Sequence, residues 1–337
     1  MSPPVQPINR IAKMATVVLA LLPVVLLIVV LGLCVGSTGV DFDAIYQWFS
    51  GKENSQMISD IIWRIRFPRV LLALLVGATL SLGGLVFQAI LKNPLAEPYI
   101  LGVSGGAAIG AIIGIIMGLS RFPGVSLLAF CGSMATLLLL LLMASGRTAL
   151  RKESLLLSGV MVNAFCSAVI MFLVSITQDS RLHSILFWLM GDLSLVGLDQ
   201  TLLLGAFLLP CFAVLFYLSN AMNLLLLGKE SARTLGLNAE AVTVVLLVVT
   251  SFMVSSTVSF SGLLGFVGLV MPHMMRLVLG PDHRLLVPAC MLGGGGYMVL
   301  CDLLARTLPQ HGEMPAGVVT ALIGAPLFIA LLKRSRP

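Results

Sequence analysis

Long apolar runs separated by short polar ones make up almost the whole chain, and the runs have the length of a bilayer. Ten of them lie near 14–35, 68–91, 102–119, 125–144, 155–177, 201–220, 241–258, 260–279, 285–305 and 315–332. A helix rises about 1.5 Å per residue, so about 20 residues cross a hydrocarbon layer about 30 Å thick. The pattern predicts an all-α polytopic membrane protein of about ten transmembrane helices. The faintest division falls between the seventh and eighth runs, where only "SFSG" at 259–262 intervenes. One helix over 241–279 would reach about 58 Å, so a break is expected there, where Ser and Gly permit a tight turn. Residues 1–13 are expected to form a cytoplasmic tail and 14–337 a single transmembrane domain. Arg10 and Lys13 before the first run imitate a signal peptide, but the run's length and the lack of a small-x-small cleavage site identify a retained span.

Composition agrees with lipid as the solvent. Hydrophobic residues make up 58% of the chain and charged ones 10%, against roughly 25% charged in a soluble domain. Charge then orients the spans. With a cytoplasmic N-terminus, the cytoplasmic segments hold 13 of the 20 Lys and Arg but 5 of the 14 acids, a net of +8 against −2 outside. That is the positive-inside rule, and it places both termini in the cytoplasm. The basic balance therefore reports topology and does not point to nucleic acid. The six cysteines are scattered through apolar runs without a C-x-x-C pair, so packing is their expected role, with neither metal nor cofactor implied.

Several chemistries are excluded by what is missing. "GKES" at 228–231 has the Gly-Lys of a phosphate loop, but position 223 is Asn and no strand precedes it, so the chain should not hydrolyse nucleotide itself. "GVSG" at 102–105 with His273 raises one alternative, an intramembrane serine protease, since a serine nucleophile needs a base within hydrogen-bond reach. Arg276 beside His273 disfavours the imidazolium that such catalysis forms. The glycines have another explanation. Gly102, Gly106, Gly110, Gly114 and Gly118 recur at every fourth position, forming one smooth stripe for helix packing in lipid. Asp302 and Arg306 stand at i,i+4, as a structural pair would. With no file of intramembrane carboxylates, ion-coupled transport has little support, so energy must arrive from another protein.

The polar stretch "LGKESARTLGLNAE" at 227–240 is more than a connector. Glu230 and Arg233 form an i,i+3 pair, Ala232 and Leu235 favour helix, and Gly236 suits the left-handed position after a helix end. The stretch resembles the cytoplasmic coupling helix of permease subunits in type II ABC importers, the iron-chelate, haem and vitamin B12 uptake family. Further blocks carry the resemblance across the chain: "RFPR" at 66–69, "NPLAEP" at 93–98, "LGVSGGA" at 101–107, "FWLMG" at 187–191, "GLLGFVGLVMPHMMRLVLGPDHRLLVP" at 262–288 and "EMPAGVVTALIGAPLFIALL" at 313–332.

The resemblance implies a type II permease fold in the bacterial inner membrane. It implies a homodimer with a path between the copies, two ATPase subunits on the cytoplasmic face and a soluble binding protein outside. Residue by residue, it implies docking of the binding protein at Arg66, Arg69 and Arg306. Coupling to the ATPase falls within 221–240, at Gly228, Glu230, Arg233, Leu235 and Gly236. A cytoplasmic gate is implied at Asn93 and Leu95 and at Lys152 and Glu153, where the second pair is bulkier than a constriction calls for. A short surface helix at 181–191 would lie at the outer mouth with Trp188 at the water boundary and His183 solvated. The implied cargo is a metal chelate, iron–siderophore first, with haem and cobalamin close behind.

Overall fold

The structure is a computed structural model that describes residues 10–36, 39–40, 60–143, 152–194, 196–309 and 312–334. Residues 1–9 of the expected tail lie outside the described residues, and 10–13 already belong to the first helix. Helix α1 is Arg10–Cys34, and Val35–Gly36 then pairs antiparallel with Gly39–Val40. A wide π-type turn, Ile61–Arg66, leads into α2, Phe67–Leu91. Then follow α3 (Val103–Ile116), α4 (Ser126–Met143), α5 (Lys152–Ser175), α6 (Asp179–Leu189), α7 (Leu198–Tyr217) and the short α8 (Ser219–Leu226) and α9 (Lys229–Thr234). The chain continues as α10 (Ala239–Ser261), α11 (Val267–Leu279), α12 (His283–Thr307) and α13 (Ala316–Arg334). Among the described residues, seven helices have the length and apolar composition to cross a membrane, and α3, α11 and α13 are shorter apolar helices. Together they account for the ten expected runs.

The axis of the molecule is the antiparallel pair α2–α12. Gly77 faces the Gly294 carbonyl and Arg69 meets Asp302 one helix stretch further on, in one continuous register. Small residues set this contact, because in lipid the gain comes from close backbone approach rather than from expelling water. Helix α2 is buried along almost its whole length, whereas α1 and α5 expose most of theirs. Leu27 on α1 and Phe165 and Met171 on α5 are exposed apolar side chains, as lipid-facing or partner-facing positions require.

Two helices are too short to span. With 14 and 13 residues, α3 and α11 reach only about 21 and 20 Å. This corrects the expected spans at 102–119 and 260–279. The break falls at Gly262–Phe266 rather than 259–262, because the hydroxyls that suggest a turn are satisfied inside α10. Ser259 and Ser261 donate to the Ser256 and Thr257 carbonyls at 2.8 and 3.0 Å. The backbone that replaces the missing turns, 96–102 and 262–266, sits inside the protein. Pro98 packs on Gly83 and Gly268, and Gly83 lies eight residues, about 12 Å, above the last residue of α2. Irregular backbone at such depth is tolerated only when the protein itself satisfies it.

Candidate functional site

The basic face carries the element expected to couple. Gly228 (φ +110) opens α9 and Gly236 (φ +81) ends it, both in backbone regions that suit glycine. The N–H of Gly236 donates to Arg233 O at 2.9 Å and that of Leu237 to Ala232 O at 2.9 Å, the paired bonds of a Schellman stop. Ala232 is wholly buried, which pins the short helix to the body. Its other face is open: Glu230, Arg233 and Leu235 are exposed, and Leu227 and Leu235 are apolar side chains 62% and 61% exposed. One expectation is corrected. Arg233 pairs with Glu240 at 2.8 Å rather than with Glu230, because the stop at Gly236 folds the start of α10 back beside α9. Asn223 fixes α8 to α12, donating to Asp282 at 2.7 Å while accepting from the His283 N–H at 2.9 Å.

The gate candidates lie on the same face. Lys92 ends α2 in the left-handed conformation, φ 48, and its Nζ donates to Leu226 O of α8 at 3.3 Å. Asn93 Oδ1 accepts from Leu95 N at 2.9 Å, a local turn that leaves Leu95 48% exposed. Lys152 and Glu153 form the first turn of α5. Further along, α5 packs on the irregular 98–102 segment: Gly159 meets Ile100 O, and Asn163 Nδ2 donates to Tyr99 O at 3.1 Å.

On the opposite face the three arginines converge, but inward. Arg66, Arg69 and Arg306 are 5%, 6% and 4% exposed. Arg69 Nε meets Asp302 Oδ1 at 2.9 Å and its Nη1 meets Glu313 at 2.6 Å, while Arg306 Nε meets Asp302 Oδ2 at 3.1 Å. Arg66 donates to the Leu33 and Cys34 carbonyls, both at 2.9 Å, and Arg306 to Gly32 O at 3.3 Å. These are the last carbonyls of α1, which lack helical partners and attract cations. The expected Asp302–Arg306 pair is therefore present as the centre of a larger cluster. The three arginines expected to dock the binding protein are thus already held by carboxylates and carbonyls of the chain itself.

Helix α6 runs Asp179–Leu189 where 181–191 was expected. Trp188 is 5% exposed, packed into the protein and not set at a water boundary. The helix walls a cavity of about 520 Å³ with Arg121, Arg181, His183, Phe187 and Asp192. Arg121 binds Asp192 through Oδ2 at 2.8 Å and its carbonyl at 2.9 Å. Burial alone raises the Asp192 pKa, but Ser194 and Arg121 outweigh it and hold the carboxyl below its ordinary range. The bridge's contribution is thus fully present above the carboxyl's ordinary value and is lost as the pH falls through the depressed one.

The glycine stripe is real over three of its five members. Gly106 and Gly110 face the α4 backbone at Gly132 and Leu128, and Gly114 meets Val125 in the turn just before α4. Gly102 (φ +81) opens α3 against Val162, and Gly118 (φ +73) lies beyond its end, so both shape the helix termini. Ser104 lies in the first turn of α3, whereas His273 is on α11, its ring packed edge-on against Phe328 at 6.0 Å with Nε2 unbonded among the described residues. No hydrogen bond joins the two among those residues, and the protease alternative has no support.

One constellation was not anticipated. The Phe266 N–H, at the start of α11, donates to Glu97 Oε1 at 3.1 Å. Tyr99 Oη donates to Leu264 O at 3.0 Å and accepts from Leu264 N at 3.1 Å. Two segments 165 residues apart thus satisfy each other at depth. The signal was in the sequence: a carboxylate and a phenol in "NPLAEPY", beside the expected gate residues Asn93 and Leu95.

Buried axial helices, two half-length helices joined through protein, and a capped element on the basic face define a polytopic membrane permease. The chain belongs to the FecCD transport family, whose model matches residues 24–334. It is 41% identical over 312 residues to the vitamin B12 import system permease protein BtuC of Citrobacter koseri, covering 92% of both chains. It is 38% identical over 320 residues to the ABC transporter permease protein YvrB of Bacillus subtilis, an uncharacterised protein, covering 91% of this chain and 90% of that one. A solved metal-chelate type ABC transporter in an inward-facing conformation superposes with TM-score 0.86 at 32% identity, covering 95% and 99%. PsaBC of Streptococcus pneumoniae shares the fold alone, at TM-score 0.58 and 15% identity.

Proposed function

We propose that this chain is one half of a homodimeric permease. Two ATPase subunits work it from the basic, cytoplasmic face, and a soluble binding protein loads it from outside. Both termini are cytoplasmic in this reading, and ATP is hydrolysed by the partners alone. The observation that carries it is α9, whose buried Ala232 and glycine stop leave Glu230, Arg233 and Leu235 projecting as a rigid knob. A solvated connector has no use for such a stop. The cargo is a metal chelate. The BtuC relatives favour vitamin B12 over the ferric siderophore that the family resemblance put first.

Docking outside is proposed to involve the arginine cluster at its accessible edge. Glu313 is 36% exposed on its side chain, so a partner carboxylate reaching Arg69 would replace it there. On the basic face, Gly236→Ala puts a Cβ on a left-handed residue and should loosen the stop. Cargo-stimulated ATP hydrolysis is expected to fall about fivefold, the lower end of ordinary site coupling, with binding-protein docking unchanged. Equal loss of both, or of neither, would remove α9 from the coupling role.

A further inference from the structure

The Glu97–Tyr99 constellation has a place in the molecule as well as a set of bonds. Its lower side continues from Lys92, whose Nζ is bonded to α8, and from Asn93 and Leu95. Its upper side continues through Leu263 and Gly262 to α6. Gly262 packs on Trp188 O, Gly191 on Leu263 O, and the Asp192 N–H donates to Ser261 O at 2.8 Å. The last helix joins the same knot, since Gly317 packs on Met190 O and Leu263 O, and Gly324 makes room for the Phe266 ring. Phe266 itself is held at φ 68, a conformation a bulky residue keeps only when its surroundings impose it. Glu97 accepting the Phe266 N–H is one such imposition. A continuous bonded line therefore runs from the α8–α9 element on the basic face to the α6 collar on the other. Its middle link is two side chains, not a helix.

We propose that Glu97 and Tyr99 are positioning residues for transport: they lock the 92–102 and 262–266 segments into one body. Movement of the coupling element on the basic face thereby displaces the α6 collar, and displacement of the collar moves the element. This rests on the permease reading above. A tie of this kind suits the job because α3 and α11 each stop part-way across. A full-length helix would transmit motion along its own ladder, whereas two half-helices transmit it only through what joins their ends. The tie also explains why a carboxylate and a phenol sit at depth. They supply an acceptor for an orphan helix N–H, and a donor and acceptor for a strained turn, that no hydrocarbon could supply.

The test uses the assembled complex in proteoliposomes with vitamin B12 as the cargo probe. Wild-type uptake is measured first, so that failure of the permease reading appears as no uptake in the parent. Tyr99→Phe removes both bonds to Leu264. Glu97→Ala removes the acceptor, and Glu97→Gln keeps one. The expected result is assembly, binding-protein docking and basal ATP hydrolysis as in wild type. Cargo moved per ATP should fall about tenfold in Tyr99→Phe and Glu97→Ala and stay within about twofold in Glu97→Gln. Spin labels at Ser184→Cys on the collar and Leu95→Cys on the basic face give a readout that mere loss of stability would not mimic. In the parent both ends shift together when nucleotide binds. In Tyr99→Phe the Leu95 end shifts and the Ser184 end does not. Unchanged cargo per ATP, or collar motion that persists in Tyr99→Phe, would overturn the proposal. If Tyr99→Phe fails to assemble, the Ala and Gln forms of Glu97 decide it, and equal behaviour of those two would overturn it as well.

Discussion

Asp302→Ala is expected to destabilise the detergent-purified chain by about 3 kcal/mol or more, the ordinary cost of breaking a buried ion pair by removing one partner. Asp302 is fully buried; Arg69 hydrogen-bonds one of its carboxylate oxygens at 2.9 Å, and Arg306 pairs with the other by charge alone, at 3.1 Å. Taking it away leaves two guanidiniums without their shared counter-charge in a place water does not reach. The loss should spread beyond α12, because Arg306 also holds the end of α1 and Arg69 also holds Glu313. Replacing the trio together by apolar residues of similar volume should recover most of the loss, since ion pairs and packed hydrocarbon are often of equal worth in an interior. The measurement is the denaturant midpoint of the parent and of these two variants. A loss below about 1 kcal/mol for Asp302→Ala, the range of exposed pairs, would mean the cluster is wet.

The second large effect is steric. Gly84 of α2 lies against the backbone of Gly268, and an added Cβ would strike the Gly268 carbonyl. That carbonyl accepts Gln88 Nε2 at 3.2 Å, and Gln88 in turn holds Arg276 at 3.0 Å. Overpacking commonly costs about 1–3 kcal/mol, and more where backbone must move; here the whole start of α11 would have to withdraw. Gly84→Val is expected to abolish accumulation of folded protein in the membrane. Gly205→Ala is the control: its new Cβ would meet only Leu75 Cδ1, at an ordinary 3.6 Å. Comparable accumulation of the two variants, measured by size-exclusion profile of a fluorescent fusion, would contradict the α2–α11 contact.

How far the sequence could be read follows from which interactions are local. The spans were legible because a bilayer imposes length on hydropathy, and the α9 stop was legible because Gly236 acts within its own turn. The Asp302–Arg306 pair was visible at i,i+4 for the same reason. The third member was not, since Arg69 reaches Asp302 across 233 residues. A basic residue near a span end reads as outward-facing until the fold supplies its partner. The half-helices were hidden differently. Residues 262–266 are apolar enough to pass for part of a span, and 92–101 reads as an ordinary loop between spans, because hydropathy does not report backbone conformation. Ser and Thr of α10 misled in the opposite sense, since their hydroxyls bond within the helix. The five-glycine stripe was right in spacing and too long by one turn at each end, where φ turned positive.

The central claim is that this chain is a conduit with no engine of its own, driven from the basic face. The most direct measurement is vitamin B12 uptake into proteoliposomes holding the chain, its ATPase partner and its binding protein, with ATP confined to one side at a time. Uptake is expected only when all three are present and ATP is on the face that carries α9, with no ATP hydrolysis by the chain alone. Uptake without the ATPase, hydrolysis by the isolated chain, or drive from ATP on the α6 side would contradict it.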